Sequence, residues 1–533
     1  MQREHKIDET NDSKARDDSC SRETDGDDGN SFNDDGNSFG DECTPQAAKK
    51  LVHILNPQFE LGMDTTEANC LEVYEEEREK IKEVLRNFDG QISLPVDILR
   101  YEKRYGGGYD YLCLRAHFIH DSWDVKNWVL NFRRIWYPLE VVPHEAILES
   151  LKDWDIENKI STLTMVNSEY YDETVEFVKD HIQSKKEFQL NGQLFRVFCC
   201  GDFISLMVQD AFDEISEIID TVSQLYSFGR SLPLWYLTSS KLKDALELES
   251  MGEFSSKEVT DHYEVPSADE WDKVRSICRL VDSIYKVADA LFQTKHVTSS
   301  IFHHLHELQA ILTRESSNSD SFIRTVVKKM LQKFDKYWKD MFLVLTIATV
   351  MDPRSKMKFI EFSSSKFEGS NGNSRVRDVL EAIHSIYDDY VTRFPGKENF
   401  VCDMTSSNPE EDSPSRAEEG GPNSTNALSD LQEYLQFIQS ISQPPKSELD
   451  WYLGEPVLPW SQDFNALSWW RAASPKYPTL SKMARDFLAI PISLATSFDA
   501  FYTEQREADK RVISLRPALM NALMCTRSWN PEK

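Results

Sequence analysis

Residues 90–138 read GQISLPVDILRYEKRYGGGYDYLCLRAHFIHDSWDVKNWVLNFRRIWYP, and their pattern decides the fold. β-Branched and aromatic residues recur near period two in GQISLPVDILRYEKRY, GGGYDYLCLRAHFIHD and VKNWVLNFRRIWYP, which predicts three consecutive strands. Gly106, Gly107 and Gly108 fall between the first two, where a hairpin turn needs positive φ. A phosphate-cradling loop would require a helix directly afterwards, and a strand follows instead.

Downstream, HEAILESLKDWDI sets Ile147, Leu148, Leu151 and Trp154 on one helical face, and KISTLTMVN reads as an apolar strand. YYDETVEFVKDHI predicts a helix, FQLNGQLFRVFCC extended structure, and DFISLMVQDAFDEISEIIDTVSQLYSF one long helix. Three antiparallel strands, a helix, a parallel strand and further helices is the order of an α/β ribonuclease-H-like fold with a mixed sheet. That topology sets the first strand beside the fourth, so an acid in the middle of one meets an acid at the end of the other. Two such carboxylates and a third from a late helix hold two magnesium ions for phosphodiester chemistry. Asp97 fills the first position, but the fourth strand runs out as Thr164-Met165-Val166-Asn167.

A chain of 533 residues with 40% hydrophobic content can bury a large core, shared between more than one folded unit. No run approaches the roughly 18 apolar residues of a membrane span, and residues 1–20 lack the apolar centre of a signal peptide. The nine cysteines form no C-x-x-C pair, which fits reduced thiols in cytosol or nucleus. His303, His304 and His306 have no cysteines nearby and sit in a helical pattern, so no metal and no cofactor is expected.

The formal charge of −30 opposes contact with nucleic-acid phosphates. Part of it is segregated: residues 1–45 hold 14 acidic and 5 basic side chains, a net of −9. Residues 1–46 therefore read as a disordered acidic arm, and its repeated DDGNSF as low-complexity tail rather than a calcium loop. Residues 401–429, rich in Pro, Gly, Ser and acids, read as a flexible linker. They divide a region at 47–400 from a C-terminal region at 430–533.

The ordered blocks ISLPVDILRYEKRYGGGYDYLCLRAHFIHDSW, LTMVNSEYYD, FCCGDFISLMVQDAF, KFDKYWKDMFLVLTIATVMDPRSKMKFIEF, SELDWYL and LSWWRAASPKYPTLSKMARDFLAIPISLATSFDAF together resemble plant hAT-superfamily transposases. The resemblance covers most of the chain after residue 85 and implies a ribonuclease-H-fold region at 47–400 with a helical insertion, followed by a C-terminal dimerisation region at 430–533. It also implies a nuclear protein that forms a homodimer, or a heterodimer with related hAT proteins, with DNA as a candidate partner and no membrane. Domesticated plant relatives carry an N-terminal BED zinc finger, for which this sequence shows no ligand pairs. Within the pattern Asp97 keeps the first catalytic acid, Val166 stands where the second aspartate is expected, and Phe498 where the glutamate is expected. Asp202 replaces the family's histidine and Ser205 its asparagine. Neither Val nor Phe can bind a hard cation, so the expectation is a domesticated protein without strand-transfer activity. Glu169, Asp172 and Asp499 are the candidate substitutes, although Asp499 diverges from its helical neighbour by about 100°.

Trp451, Leu453, Leu467, Trp469, Trp470, Tyr477, Leu480, Met483, Phe487 and Leu488 recur at helical spacing in the C-terminal region. Such a stripe must be buried, and core and dimer interface are weighed equally. Lys328, Lys329, Lys333, Lys336 and Lys339 on VVKKMLQKFDKYWKD are candidate DNA contacts, with a solvated helix face as the commoner explanation. An adaptor without DNA binding and an active transposase are the alternatives, in that order.

Overall fold

The computed structural model describes residues 67–102, 108–135, 142–226, 239–255, 257–292, 299–367, 372–394, 447–461, 463–494 and 514–529. The acidic arm, Gly106, Gly107, residues 401–429, Phe498 and Asp499 lie outside the described residues.

After α1 (Glu67–Asn87) come the three expected strands, β1 (Ile92–Glu102), β2 (Gly108–Ile119) and β3 (Val125–Ile135). They pair antiparallel, with Ser93 opposite His117 and Asp97 opposite Cys113. α2 (Pro143–Trp154) then leads to β4 (Ile160–Met165), which runs parallel to β1. Pro143 opens α2, where no N–H is needed, and Asp155 closes it in the left-handed region at φ 55°. α3 (Asp172–Gln183) connects to β5 (Arg196–Phe198), parallel to β4, giving the order β3-β2-β1-β4-β5. This is the ribonuclease-H-like sheet that the strand pattern implies.

Two expectations need correction. FQLNGQLFRVFCC is extended only over Arg196–Phe198, because Leu190, Asn191 and Gly192 all take positive φ and form a tight turn. DFISLMVQDAFDEISEIIDTVSQLYSF is two helices, α4 (Cys200–Asp213) and α5 (Ser216–Tyr226). No Pro or Gly marks the break; it buries Ile215 at 1% exposure and leaves Glu214 to pair with Lys329.

A helical layer follows: α6 (Ser239–Ser250), α7 (Ala268–Phe292), α8 (Ser299–Glu315), α9 (Ser321–Val350), α10 (Lys356–Phe367) and α11 (Gly372–Arg393). His306 on α8 is packed against Phe302 and Trp338 and lies 2.5 Å from the Ser363 hydroxyl; burial pushes its pKa down to about 4. The C-terminal elements are α12 (Glu448–Gly454), α13 (Ala466–Ala473), α14 (Pro478–Leu488) and α15 (Pro517–Trp529).

Two hydrophobic cores result. One joins the sheet to α1, α2, α3 and α15; the other joins α4–α11 to α12–α14. α15 has a further task, since β3 is an edge strand whose outer backbone groups need partners. The Phe132 N–H donates to Asn521 Oδ1 and the Val129 N–H to Ser528 Oγ, both at 2.8 Å, while Trp529 Nε1 donates to the Val129 carbonyl at 3.0 Å. Side chains of the C-terminal helix therefore close the sheet edge.

Candidate functional site

β1 and β4 are in register from Leu94–Leu163 to Pro95–Thr164, and continuing that register sets Asp97 level with Val166. Parallel neighbours stand about 4.8 Å apart, so this is where paired carboxylates would meet at the carboxyl edge. Asp97 is 3% exposed, with the Arg115 guanidinium 3.8 Å away. Val166 is half-buried and offers no oxygen. Just beyond it, the Asn167 N–H donates to the Asp202 carboxylate at 2.7 Å, so the acid on the first turn of α4 ties down the tip of β4. Asp172 is ion-paired with Arg196, and Glu169 is exposed on a short turn. Among the described residues no group of three or more His, Cys, Asp or Glu is placed to hold a metal ion.

The segment leading toward Phe498 reaches the same edge. The Ala489 carbonyl lies 2.6 Å from His117 Nδ1, and the Thr164 hydroxyl donates to the Pro491 carbonyl at 2.9 Å. The Cys200 N–H donates to the Ile492 carbonyl at 2.7 Å, and the Leu494 N–H to Cys199 Sγ at 3.2 Å. α14 is anchored by Arg485, which pairs with Asp89 at 2.7 Å and with Asp121, and by buried Asp486. Asp486 accepts the Gln91 N–H at 3.0 Å and the Tyr390 hydroxyl at 2.6 Å; burial raises its pKa to about 6.

The DPRSK segment after α9 clasps the C-terminal helices. Arg354 grips the fully buried Asp352 through two nitrogens, at 3.0 and 2.7 Å, and lies over the Trp460 ring at 4.3 Å. Lys356, 2% exposed, donates to the Tyr452 carbonyl in the last turn of α12 at 2.5 Å and to the carbonyl of its C-cap Glu455 at 3.1 Å. This satisfies groups that a helix end leaves open. Tyr452 and Trp470 reciprocate, donating to the Val350 and Met351 carbonyls at 2.8 and 2.7 Å.

The aromatic stripe divides. Trp470, Tyr477, Leu480, Met483, Phe487 and Leu488 are buried within the chain's own core. Leu453, Leu467 and Trp469 are partly buried against it, while Trp451 is 54% exposed. Sequence reasoning missed Val457 and Trp460, which are also exposed, at 43% and 58%; both lie outside the helical spacing that drew attention to the stripe. The lysines divide too. Lys329 pairs with Glu214, and Lys333 with Asp210 at 2.7 Å, whereas Lys328, Lys336 and Lys339 are exposed.

Comparison with known proteins accords with this architecture. The family model for the ZBED1 RNase-like domain matches residues 107–194, that for the hAT-like transposase RNase-H fold residues 299–390, and that for the hAT family C-terminal dimerisation region residues 448–530. The chain is therefore a transposase-derived protein of hAT type. It is 32% identical over 511 residues to zinc finger BED domain-containing protein RICESLEEPER 2 of Oryza sativa subsp. japonica, covering 89% of this chain and 70% of the relative. It is 29% identical to DAYSLEEPER of Arabidopsis thaliana over 90% of this chain and 69% of that one. The putative AC transposase of Zea mays is 25% identical over 90% of this chain and 62% of its own length. The chain belongs to the hAT transposase-derived RICESLEEPER and DAYSLEEPER family.

Proposed function

We propose that this protein is a catalytically inactive hAT derivative of the nucleus that acts by dimerising and by contacting DNA in transcriptional regulation. The observation that carries the loss of activity is Val166 level with Asp97, where a second carboxylate would be required. Phe498 adds to it by resemblance and lies outside the described residues. Magnesium-dependent cutting or joining of terminal-repeat DNA by the purified protein would sink the proposal.

Dimerisation proceeds through Trp451, Val457 and Trp460, the large exposed apolar side chains among the described residues of the matched dimerisation region, together with the partly buried Leu467 and Trp469. Exposed aromatic residues of this kind serve as interface anchors. The remaining stripe residues hold that surface in place from within the core. The partner is a second copy or a related hAT protein. Light scattering over a dilution series tests this, and a monomer at all concentrations would refute it.

A second reading, an adaptor without DNA contact, is favoured by Lys329 and Lys333 being neutralised within the chain and by the charge of −30. DNA affinity that falls as salt rises selects the first reading; no salt-sensitive binding selects the second.

A further inference from the structure

A cleft enclosed by β4, the turn after α3, α11 and α14 belongs to neither reading above. Its cavity volume is about 30 Å³, and Gln91, Thr162, Lys186, Gln189, Arg393 and Asp486 are among its lining residues. Its unmet groups are a hydroxyl, which can donate or accept, and an amide nitrogen, which donates. Thr162 on β4 is 2% exposed, and its hydroxyl has no hydrogen-bond partner. The amide nitrogen Nε2 of Gln189 is buried and equally unsatisfied. Buried polar groups in native proteins are ordinarily paired, so two such groups in one cleft mark a place where a partner binds.

The charges point the same way. Lys186 donates to the Gln91 side-chain carbonyl at 3.2 Å, and Arg393, exposed and 5.8 Å from the Tyr390 ring, lines the rim of the cleft. Burial, and after it the Arg393 charge, push the Lys186 pKa down to about 7, although Asp486 acts in the opposite direction. Asp486 is already engaged by Arg485, the Gln91 N–H and the Tyr390 hydroxyl. The other acid, Glu187, is exposed. Lys186, Arg393, the Thr162 hydroxyl and the Gln189 amide line one cleft, and bonds to an oxyanion would satisfy the two unmet groups while adding a counter-charge for Lys186 and Arg393.

We propose that this cleft binds a small tetrahedral oxyanion, a phosphate group, through Lys186, Arg393, the Thr162 hydroxyl and the Gln189 amide. The group is either free phosphate or a phosphate of a nucleic-acid backbone, which share this chemistry, the second source resting on the DNA contact proposed above. Isothermal titration of the full chain with sodium phosphate at constant ionic strength tests the site, with sodium chloride as control. Saturable binding is expected, and Thr162→Val should weaken it about tenfold by removing one bond to a charged group. Lys186→Met should weaken it at least as much. Thr162→Val is close to isosteric, so it decides the question where Lys186→Met fails to fold. A short duplex oligonucleotide separates the sources: displacement by phosphate, with weaker binding in Thr162→Val, identifies a backbone phosphate. Indifference of the oligonucleotide to both, with phosphate still bound, identifies the free ion. Heat no greater than the chloride control, or phosphate affinity unchanged in both variants, overturns the site.

Discussion

Trp470 and Trp451 lie in one motif-matched region yet should fail in opposite ways when truncated. Trp470 is fully buried, sits 5.1 Å from the Tyr452 ring and 6.2 Å from that of Tyr477, and donates to the Met351 carbonyl at 2.7 Å. Trp470→Ala should cost about 3–5 kcal/mol for the cavity. The unmet carbonyl adds about 1–3 kcal/mol. Natural stabilities are about 5–15 kcal/mol, so this variant should be largely unfolded near 37 °C. Trp470→Phe keeps a ring and loses the N–H, and its cost should fall to about 1–3 kcal/mol. Trp451, by contrast, is half exposed, and Trp451→Ala should change the stability of the monomer by no more than about 0.5 kcal/mol. As an interface anchor it should cost about 2 kcal/mol of association, which is about 30-fold in Kd. Urea unfolding followed by tryptophan fluorescence, paired with light scattering on dilution, separates the two. Trp470→Phe should shift the urea midpoint at dilutions where the protein is monomeric; Trp451→Ala should shift only the dilution at which the dimer dissociates. A Trp470→Phe protein of parental stability that dissociates more readily would refute the division between core and surface.

Further outcomes follow from other contacts. Asp486 has a pKa raised to about 6 from 3.8, so the folded state holds its proton more tightly. The charge then costs the fold about 3 kcal/mol above pH 6, and the cost disappears as pH falls toward 3.8. Asp486→Asn should therefore gain stability relative to the parent as pH rises from 4 to 7 in urea titrations; a difference independent of pH would contradict this. Asn521→Ala with Ser528→Ala strips partners from the Phe132 and Val129 N–H groups and should cost about 1–3 kcal/mol per group, with sedimentable aggregates from the opened β3 edge. Equal melting and solubility would count against edge closure. If DNA is bound through α9, Lys328→Ala and Lys336→Ala should each reduce the salt slope by about one, and Lys333→Ala, already paired with Asp210, should leave it unchanged.

The sheet was legible because three successive segments are rich in β-branched and aromatic residues, and both faces of β1 are covered, Ile92, Leu94 and Val96 on one and Ser93 and Asp97 on the other. The break at Glu214 was not legible, since no Pro or Gly marks it and Ile215 within it is buried in the helical core. The same limit applies to the aromatic stripe, because a 3.6-residue period shows that a face is covered without showing by what. Trp470 and Trp451 are chemically alike, and the Met351 carbonyl and the Tyr452 and Tyr477 rings, all distant in sequence or in contact only through the fold, separate them. Asp202 was visible as a replacement, but its bond to the Asn167 N–H joins residues 35 apart. The Arg485 and Asp486 network spans nearly 400 residues of chain, beyond any local pattern.

The Asp97 and Val166 juxtaposition can be tested through the charge it lacks. Replacing Val166 by Asp would put a second carboxylate level with one that is 3% exposed. Two charges about 5 Å apart at an effective dielectric constant near 20 repel by about 3 kcal/mol. Arg115, 3.8 Å from Asp97, offsets part of this. Val166→Asp should thus be about 1–3 kcal/mol less stable than the parent in a chelator, above the ordinary carboxylate range of pH. Magnesium at a hundred times its Kd would restore about 2.7 kcal/mol. A magnesium-dependent rise in melting temperature in the variant, absent in the parent, would mean that the edge keeps the geometry of a cation site and lacks its ligands. A variant as stable as the parent in chelator would show that the two positions do not face each other. The comparison also exposes an asymmetry in what the fold tolerates. Exchanging Asp for Val at this edge removes a repulsion, so the fold loses nothing with the ligand. Loss of Asn521, Ser528 or Trp470 leaves a backbone group unmet in the sheet edge or the core. Physical chemistry alone therefore makes the metal ligands of such a fold easier to lose than its C-terminal frame.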